Sequence, residues 1–457
     1  MQGDIYFMFD GQIVFTALFL CYTGEKVYRT VKDMNLETLC VQGGYQPKNG
    51  EPRVLPIVQS TTFKYESSEE MGKLFDLQKS GYFYTRLQNP TNDCVAAKIA
   101  ALEGGVAAML TSSGQAASFY AMFNLCQGND HIISSAAIYG GTFNLLDVTM
   151  RRMGIDVTFV SPDISEEELA GMFRENTRCV FAESLSNPSL VVLDIEKFAK
   201  AAHDHGVPLI IDNTFPTPIN LRPFEWGADI VTHSTTKYMD GHATSVGGCV
   251  VDSGRFDWMA HAEKFPGLTQ PDDSYHGVNY AKDFGEAAYI MKATAQLMRD
   301  LGSIPSPHNS FLLNIGLETL HLRVPRHCEN AMAVAKYLES KKAEGKVAWV
   351  DYPGLPNSKY NGLVKKYMPG GTSGVVSFGV AGGREAAAGF MDRLKLAAVV
   401  THVADARTCV LHPASTTHRQ LSDVQLESCG VMPDMIRLSV GIENVNDIIA
   451  DLEQALG

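Results

Sequence analysis

The sequence lacks the features by which proteins commonly bind nucleic acids or metals. Its 457 residues carry a formal net charge of −13, and no basic run interleaved with aromatic residues stands out, so we expect no nucleic-acid partner. The nine cysteines show no CxxC spacing, which argues against a zinc site and against a paired disulfide framework. We therefore expect a protein of the reducing cytoplasm without a bound metal.

An apolar run near the amino terminus is too short to cross a membrane. Residues 13–20 form this run of eight residues, whereas a transmembrane helix needs about 20. Asp4 and Asp10 precede the run, where a secretory signal would carry basic residues, and no clear small-residue cleavage site follows it. We expect no membrane association.

The chain is long enough for two domains, and its patterns predict an α/β fold. A hydrophobic share of 45% and a charged share of 19% are ordinary for a globular protein, and 457 residues exceed what one hydrophobic core commonly supports. Strand-like runs alternate with helical segments, which indicates a mostly parallel sheet with helices on both faces. These strand-like runs are residues 107–110, 131–135, 156–160, 178–182, 207–211 and 229–231. An amphipathic segment at 311–340 then leads to a smaller C-terminal α+β domain, with strands at 375–380 and 435–440.

Two polar residues follow neighbouring strand-like runs near the middle of the chain. Asp212 follows residues 207–211, and Lys237 lies shortly after residues 228–231. Strands of an open α/β sheet deliver functional residues at their carboxyl ends into one crevice. Pyridoxal 5'-phosphate (PLP) needs both a lysine amine for its aldehyde and a carboxylate beside its ring nitrogen. The alternative is that Asp212 only caps a helix and that Lys237 only lies at the surface.

Small and hydroxyl-bearing residues nearby suit the phosphate group of such a cofactor. Ser113, Gly114 and Gln115 open a predicted helix directly after a predicted strand, and a helix N-terminus exposes unpaired N–H groups. Ser234 and Thr236 add hydroxyls just before the lysine. An ordinary helix cap and a closed turn are the alternative interpretations.

Two further side chains are candidates for contacting a cofactor ring and a substrate. Tyr139 follows the strand-like run at 131–135, so its ring is expected at the same rim, where it would stack on a pyridine; a core tyrosine is the alternative. Arg437 lies within an apolar strand-like run, where an unpaired guanidinium is costly. Its planar fork of donors suits a carboxylate, which indicates a functional role.

These residues belong to five motifs whose order and spacing resemble a known family. The motifs are Ser113-Gly114-Gln115, Tyr139-Gly140, Glu183 with Asn187-Pro188, Asp212-Asn213-Thr214-Phe215 and Ser234-Thr235-Thr236-Lys237. From about Met34 to its end, the sequence is similar to the Cys/Met-metabolism family of PLP-dependent enzymes. That family comprises cystathionine synthases and lyases, methionine γ-lyase and the O-acylhomoserine sulfhydrylases.

Within the family, three stretches resemble the O-acetylhomoserine sulfhydrylase (aminocarboxypropyltransferase) branch most. They are residues 81–91, an insertion at about 252–303, and residues 405–420. Gly141 stands where methionine γ-lyases carry a cysteine, which disfavours a lyase. His402 stands where the sulfhydrylases more often carry an asparagine, which leaves the geometry near the substrate carboxylate open.

The resemblance implies fold type I of the PLP-dependent transferases and a division of the chain. Residues 1–33 form an N-terminal extension, or follow a start codon assigned too far upstream, because relatives usually begin near Met34. Residues 34–90 form an arm that contributes to the neighbouring active site, residues 91–305 the PLP-binding domain with its insertion, and residues 306–457 the C-terminal domain. A cytoplasmic homotetramer built from dimers that share active sites is also implied.

The resemblance also assigns roles to the motif residues. Lys237 holds PLP and acts as general base, Asp212 supports the ring nitrogen, and Asn187 bonds the phenolic oxygen of the ring. Tyr84 and Arg86 contact the phosphate from the adjacent subunit. The expected catalytic residues are Lys237, Tyr84, Tyr139 and Asp212; the expected cofactor-binding residues are Lys237, Asp212, Ser113, Gly114, Gln115, Tyr139, Asn187, Ser234, Thr236, Tyr84 and Arg86; and the expected substrate-binding residues are Arg437 and Arg407.

The implied reaction is a γ-replacement. O-acetyl-L-homoserine and sulfide give L-homocysteine and acetate, a step of methionine biosynthesis. Alternatives are a methionine γ-lyase, a cystathionine γ-synthase and, outside the enzymes, a non-catalytic PLP-binding regulatory protein. The acyl group and the sulfur donor stay open at this point. For Arg407 the alternative is an ordinary ion pair, and for Tyr84 and Arg86 it is a plain core or surface position.

Overall fold

The computed structural model describes residues 34–416, 419 and 431–457. The expected extension at residues 1–33 lies outside the described residues, as do residues 417, 418 and 420 of the stretch at 405–420. The described part contains two β-sheets, and none of its helices is long and apolar enough to cross a membrane.

The larger sheet has seven strands and is mostly parallel. Its strands are β1 (Ala107–Thr111), β2 (His131–Ser135), β3 (Asp156–Val160), β4 (Thr177–Glu183), β5 (Leu209–Asp212), β6 (Ile230–His233) and β7 (Gly248–Asp252). They lie in the order β1-β7-β6-β5-β4-β2-β3. β2 pairs in parallel with β3 and β4, and β4, β5 and β6 continue this pattern, whereas β7 runs antiparallel to β1 and β6. The predicted parallel sheet is confirmed.

Six of the seven strands lie within two residues of the predicted runs, whereas β7 matches none of them. Residues of β2 and β6 are all buried, so both faces of the sheet are covered, as is usual for parallel strands. Such strands are nearly continuous apolar runs that end in turn residues, and this pattern is visible in the sequence.

Helices connect the strands and pack against the larger sheet or, in the last third of the chain, against the smaller one. Those up to the end of the insertion are α1 (Leu36–Gln42), α2 (Ser68–Phe75), α3 (Pro90–Glu103), α4 (Gly114–Phe123), α5 (Gly140–Asn144), α6 (Glu166–Ala170), α7 (Ile195–Asp204), α8 (Thr217–Asn220), α9 (Pro266–Thr269), α10 (Tyr280–Phe284), α11 (Ala288–Lys292) and α12 (Arg299–Leu301). The later ones are α13 (Pro307–Glu318), α14 (Leu320–Lys341), α15 (Asn361–Tyr367), α16 (Gly383–Arg393) and α17 (Val445–Leu456). π-Helical segments occupy Leu145–Met150 and Ala293–Met298, and 3-10 turns occupy Pro223–Trp226, Asp273–Tyr275, Gly285–Ala287 and Pro413–Ser415.

The amphipathic segment at 311–340 is helical but is divided in two. Thr319, with φ −110° and ψ 6°, separates α13 from α14. Arg323 stabilises this corner, because its Nε donates to the Thr319 hydroxyl at 3.0 Å. A helical repeat of apolar residues continues across such a corner, so periodicity alone does not reveal it.

The smaller sheet follows in the last third of the chain. Its strands are β8 (Val347–Asp351), β9 (Val375–Val380), β10 (Ala398–Val399), β11 (Cys409–Leu411) and β12 (Met435–Ser439), in the order β10-β11-β12-β9-β8. Only the β10–β11 pair is parallel among these five. The predicted fold class, a mostly parallel sheet with a smaller α+β part, is confirmed. The larger core also includes Leu313 and Val375, so the expected boundary at 305 and 306 stays a prediction.

Candidate active site

Three neighbouring strands of the larger sheet end side by side with polar residues. The register of β4, β5 and β6 pairs Glu183 with Asp212, and Asp212 with Thr232. Residues that lie directly opposite each other on paired strands share a face of the sheet. The three side chains therefore form a row on one face at the carboxyl edge, which is where open α/β sheets bind ligands.

Asp212 and Glu183 are a buried pair of carboxyl groups. Burial raises the pKa of Asp212, while burial and the charge of Asp212 raise the pKa of Glu183 well above its usual range. Glu183 accepts the backbone N–H of Tyr139 at 2.6 Å and that of Asn187 at 3.2 Å, whereas Asp212 accepts the N–H of Thr214 at 2.9 Å. Two adjacent carboxylates do not both ionise readily, so Glu183 holds the proton and the negative charge lies on Asp212.

Lys237 lies in the turn that follows β6. Its N–H bonds to the carbonyl of Ser234 at 3.2 Å, and its own carbonyl accepts the N–H of Gly241 at 2.8 Å. Burial, with the positive charge of Arg437 as a second cause, lowers the pKa of the Lys237 amine to about 8. A larger fraction of this amine is therefore unprotonated near neutral pH than in an ordinary lysine, and only the unprotonated form is nucleophilic or accepts a proton.

The amino end of α4 packs directly against this lysine turn. Ser113 caps α4, and its Oγ accepts the N–H of Ala116 at 3.1 Å, as an N-cap hydroxyl commonly does. A Cβ atom at Gly114 would lie 2.5 Å from the Cβ of Ser234, so a residue without a side chain permits this close approach. Free helix N–H groups beside a small hydroxyl residue are an arrangement that binds phosphate in proteins.

Two residues of the expected phosphate-binding set have partners of their own. The Gln115 side-chain oxygen accepts the Thr142 hydroxyl at 2.9 Å. The Thr236 hydroxyl donates to the carbonyl of Gly247 at 3.2 Å and accepts the N–H of that residue at 3.0 Å. These contacts favour the closed-turn alternative for Thr236.

Tyr139 lies at the rim of the site and is half exposed, with 50% of its surface accessible. Its backbone N–H bonds to Glu183, which fixes the start of α5. The tyrosine ring lies over Gly141, because a Cβ atom there would be 2.5 Å from Cε1 of the ring. Any side chain at position 141, including a cysteine, requires the ring to move.

Arg437 lies on β12 of the smaller sheet and reaches the larger one. It is 6% exposed. One terminal nitrogen donates to Asn187 Oδ1 at 3.2 Å, and the other donates to the carbonyls of Thr401 at 3.3 Å and His402 at 3.1 Å. The third nitrogen, Nε, is buried and has no hydrogen-bond partner within the described residues. A buried guanidinium with an unused N–H donor can bind an anionic ligand.

Lys237, Asp212, Arg437 and the start of α4 thus lie close together at the carboxyl edge of the larger sheet, around a space that we call the crevice. Residues 37–457 match the family model described as Cys/Met metabolism PLP-dependent enzyme. The chain belongs to this family. The sequence-based resemblance is thereby confirmed, and PLP is the cofactor of this protein.

Characterised relatives are similar over nearly the whole chain. Homocysteine synthase of Schizosaccharomyces pombe is 45% identical over 428 residues, covering 93% of this chain and 99% of the relative. O-acetyl-L-homoserine sulfhydrylase 1 of Thermus thermophilus is 44% identical and covers 93% of this chain and 100% of its own. Among solved structures, a putative O-acetylhomoserine (thiol)-lyase of Campylobacter jejuni, which contains N'-pyridoxyl-lysine-5'-monophosphate, has a TM-score of 0.88 and 36% identity over 93% of this chain and 100% of that chain.

The residues of the crevice fit PLP. Among the described residues, no lysine or arginine forms an ion pair with Asp212, so its charge is available to a protonated ring nitrogen. The hydroxyl of Thr232, in register with Asp212, is buried and lacks a hydrogen-bond partner in the described part. Lys237 is a candidate for the amine that bonds the aldehyde, and the N–H groups at the start of α4 are candidates for binding the phosphate. The ring nitrogen, the aldehyde and the phosphate of the cofactor therefore each have a candidate group.

Tyr84 and Arg86 lie in the segment at residues 34–90, whose role as an intersubunit arm stays a prediction, and they contact other residues of that segment. The Arg86 guanidinium carbon is 5.2 Å from the centre of the Tyr84 ring, and Tyr84 forms a β-bridge with Thr62. Both side chains line a cavity of about 650 Å³ between the arm and the insertion, which Tyr275 and Arg299 also line. Lys237 and Asp212 are not part of its lining in the described chain. Within one subunit, the structure does not bring these two arm residues into the crevice.

The surroundings of Arg407 do not match its expected role in substrate binding. Its side chain is 68% exposed and pairs with Asp405 at 2.9 Å. It also donates to the carbonyl of His242 at 3.0 Å. This arrangement favours the ion-pair alternative over substrate binding.

Two further residues lie close to Lys237 and Arg437. Burial lowers the pKa of His402, and the charges of Lys237 and Arg437 add to this effect. Burial raises the pKa of the Cys409 thiol to about 11, which the charges of Arg437 and Lys237 oppose; the thiol lies 3.4 Å from the carbonyl of His402. The sequence analysis left His402 open and missed Cys409, because a cysteine within an apolar strand is most often a core residue.

Proposed function

We propose that the protein converts O-acetyl-L-homoserine and hydrogen sulfide to L-homocysteine and acetate, a step of methionine biosynthesis. The observation that supports this most is the convergence of Lys237, Asp212 and Arg437 in one crevice, in a chain 44% identical over 93% of its length to an O-acetyl-L-homoserine sulfhydrylase. These three groups match an amino-acid substrate and PLP. When bound, PLP supplies an electron sink for negative charge at the substrate carbons.

Lys237 and Asp212 carry the proton chemistry in this proposal. Lys237 holds the cofactor and, once displaced by the substrate amine, takes the proton from Cα and returns protons to the substrate carbons. A pKa of about 8 suits an amine that must both accept and release protons near neutral pH. Asp212 holds the proton on the ring nitrogen, and its buried negative charge makes that proton hard to remove.

Arg437, Asn187 and Tyr139 orient the reacting groups. Arg437 binds the α-carboxylate with Nε and a terminal nitrogen, while its contact with Asn187 at 3.2 Å fixes the guanidinium plane. Asn187 hydrogen-bonds the phenolic oxygen of the ring through its side chain. Tyr139 stacks on the ring and, as an exposed side chain at the rim, covers it from solvent.

The phosphate is bound from two chains. Ser113, Gly114 and Ser234 contact it from the same subunit, and Gln115 contributes its backbone N–H. Tyr84 and Arg86 reach it from the adjacent subunit, which is supported by their position in an arm away from their own crevice. The functional unit is accordingly a dimer, and we propose a cytoplasmic tetramer of two such dimers with closed symmetry.

The proposed reaction is tested with three esters of homoserine and with methionine. Purified protein is incubated with sulfide and O-acetyl-, O-succinyl- or O-phospho-L-homoserine, and homocysteine release is followed. We expect the acetyl ester to give the highest kcat/KM. Methanethiol release from L-methionine is measured in parallel, and a faster lyase reaction, or equal use of the succinyl ester, would contradict the proposal.

A further inference from the structure

A fully buried polar network lies behind the row of cofactor-facing residues. Side chains alternate between the two faces of a strand, so the residues that follow Glu183 and Asp212, and the one that follows Thr232, point to the opposite face. They are Ser184, Asn213 and His233, which are 0%, 0% and 1% exposed.

Two of these side chains bond to Glu103, the last residue of α3, and the third bonds to Asn213. His233 Nε2 lies 2.6 Å from Glu103 Oε1. The Asn213 amide donates to the same oxygen at 3.1 Å, and the Ser184 hydroxyl donates to Asn213 Oδ1 at 2.9 Å. The Asn213 amide also bonds to the carbonyl of Leu221 at 2.8 Å. The network therefore ties the ends of β4, β5 and β6 to one carboxylate.

Stability alone does not account for a carboxylate at this place. Glu103 is 1% exposed and stands at the carboxyl end of a helix, where the helix dipole disfavours negative charge. Its second oxygen, Oε2, and His233 Nδ1 have no hydrogen-bond partner in the described part of the chain. Buried ion pairs are often replaced by apolar residues without loss of stability, so the pair is expected to serve the site.

The electrostatic connection runs from this pair to Asp212. Burial is the largest effect on the pKa of Asp212 and raises it, while His233 is among the groups that lower it. Glu183, on the other side, carries the proton of the carboxyl pair. Glu103 also affects Cys249 on the neighbouring strand β7. Burial is the main cause that raises the pKa of this thiol, and the charge of Glu103 raises it further.

We infer that Glu103 and His233 are positioning residues: Glu103 holds the His233 ring behind the sheet, and this ring favours the anionic form of Asp212 for the ring nitrogen of PLP. The inference rests on the proposed role of Asp212. Asn213 and Ser184 hold the strand ends in register around it. Neither Glu103 nor His233 touches the cofactor in this arrangement.

Several charged and titratable groups surround the network. Glu183 faces Asp212 from β4, and Cys249 lies opposite His233 on β7. The Arg222 guanidinium packs against Gly104, next to Glu103, and also pairs with Glu225 at 3.2 Å. These groups are unchanged in the variants below, so a difference from the wild type reports on the Glu103–His233 pair.

The experiment measures PLP affinity as a function of pH. Apoenzyme of the wild type, His233→Gln and Glu103→Gln is titrated with PLP between pH 5.5 and 9, and bound cofactor is followed by absorbance. Without the His233 ring, or without the Glu103 side chain that holds it, the contribution that lowers the pKa of Asp212 is lost, so Asp212 takes up its proton at a higher pH as the solution is acidified. In the wild type, PLP affinity falls as the pH is lowered, and we call this part of the pH profile the acid limb. We expect the acid limb of both variants to lie about one pH unit higher. Affinity should then be roughly tenfold weaker than in the wild type at the lowest pH and little changed at pH 9.

A matched control separates this effect from plain destabilisation. His131 is equally buried in the same sheet, at 0% exposure, and bonds to the hydroxyls of Thr177 and Thr158 at 2.9 Å, at the other end of its strand from the crevice. We expect His131→Gln to lower the thermal midpoint of the apoenzyme without moving the acid limb. The double variant Glu103→Gln/His233→Gln is expected to show the same shift as either single variant, because the pair acts as one unit.

The outcomes distinguish this inference from the proposed function. An unshifted acid limb in both His233→Gln and Glu103→Gln overturns the inference, even when their thermal midpoints fall as in His131→Gln. Should His233→Gln not fold, Glu103→Gln, which keeps the size and an acceptor oxygen, decides alone. If Asp212→Asn binds PLP as the wild type does, the role of Asp212 is at fault instead, and sulfhydrylase activity of the wild type tests the proposed reaction separately.

Discussion

Replacing Arg437 with lysine tests the substrate-carboxylate site most directly. Lysine keeps the positive charge but loses the planar fork, so one point of a two-point contact disappears. A hydrogen bond to a charged group contributes about 1.5–3 kcal/mol, and about 1.4 kcal/mol corresponds to a tenfold change in affinity. We therefore expect the KM for O-acetyl-L-homoserine to rise roughly 10- to 150-fold, while PLP absorbance and the sulfide dependence stay close to the wild type.

Arg407→Lys is the matched control for this change. Its side chain is 68% exposed and pairs with Asp405, and exposed pairs contribute about 0–1 kcal/mol. We expect a KM within about twofold of the wild type. Steady-state kinetics with varied O-acetyl-L-homoserine distinguishes the two arginines: a KM change below about threefold in Arg437→Lys, or a larger change in Arg407→Lys, would refute the assignment of the carboxylate to Arg437.

The other predictions concern the cofactor and the assembly. Lys237→Arg should lose the visible absorbance of lysine-linked PLP, whereas Lys292→Arg should keep it although burial also lowers the pKa of Lys292 to about 8; the reverse pattern contradicts the role of Lys237. Asp212→Asn should lower kcat about a hundredfold at saturating PLP, because a neutral amide does not hold the ring proton, and near-normal turnover argues against this. The rate at which apoenzyme takes up PLP should rise with pH and level off above about 8, as the unprotonated fraction of Lys237 grows; a flat profile speaks against the depressed pKa. Mixed Lys237→Ala and Tyr84→Phe subunits should recover up to about a quarter of wild-type activity, and no recovery after proven subunit exchange means that Tyr84 serves its own chain.

The parts of the site that lie at strand ends were predictable from the sequence. Asp212, Ser234 and Lys237 follow apolar runs, and such runs end where the chain leaves a buried sheet. Gly114 was predictable for a related reason, because a glycine at a strand-to-helix turn indicates a close approach, here to Ser234. These signals are local, so a single sequence carries them.

The residues that escaped prediction act across long sequence distances. Glu103 and His233 are 130 positions apart, and a glutamate at the end of a helix is ordinarily a surface residue. The sequence pattern places Cys409 in an apolar strand, where a cysteine is usually a core residue. Its proximity to Lys237 and Arg437 depends on how the smaller sheet packs against the larger one. The corner at Thr319 was hidden because helical periodicity continues through it.

Polar doublets at three strand ends connect the two faces of the site. Glu183-Ser184, Asp212-Asn213 and Thr232-His233 each place one side chain on the cofactor face and the next on the opposite face. A single polar residue at a strand end is explained by a turn or a cap. Two consecutive polar residues at the ends of three adjacent strands are different, because one residue of each pair faces the protein interior and needs a hydrogen-bond partner there. One carboxylate from another element satisfies two of the three directly and the third through Asn213. A row of such doublets in a predicted parallel sheet therefore indicates a buried acidic residue elsewhere in the chain, and Glu103 is that residue here.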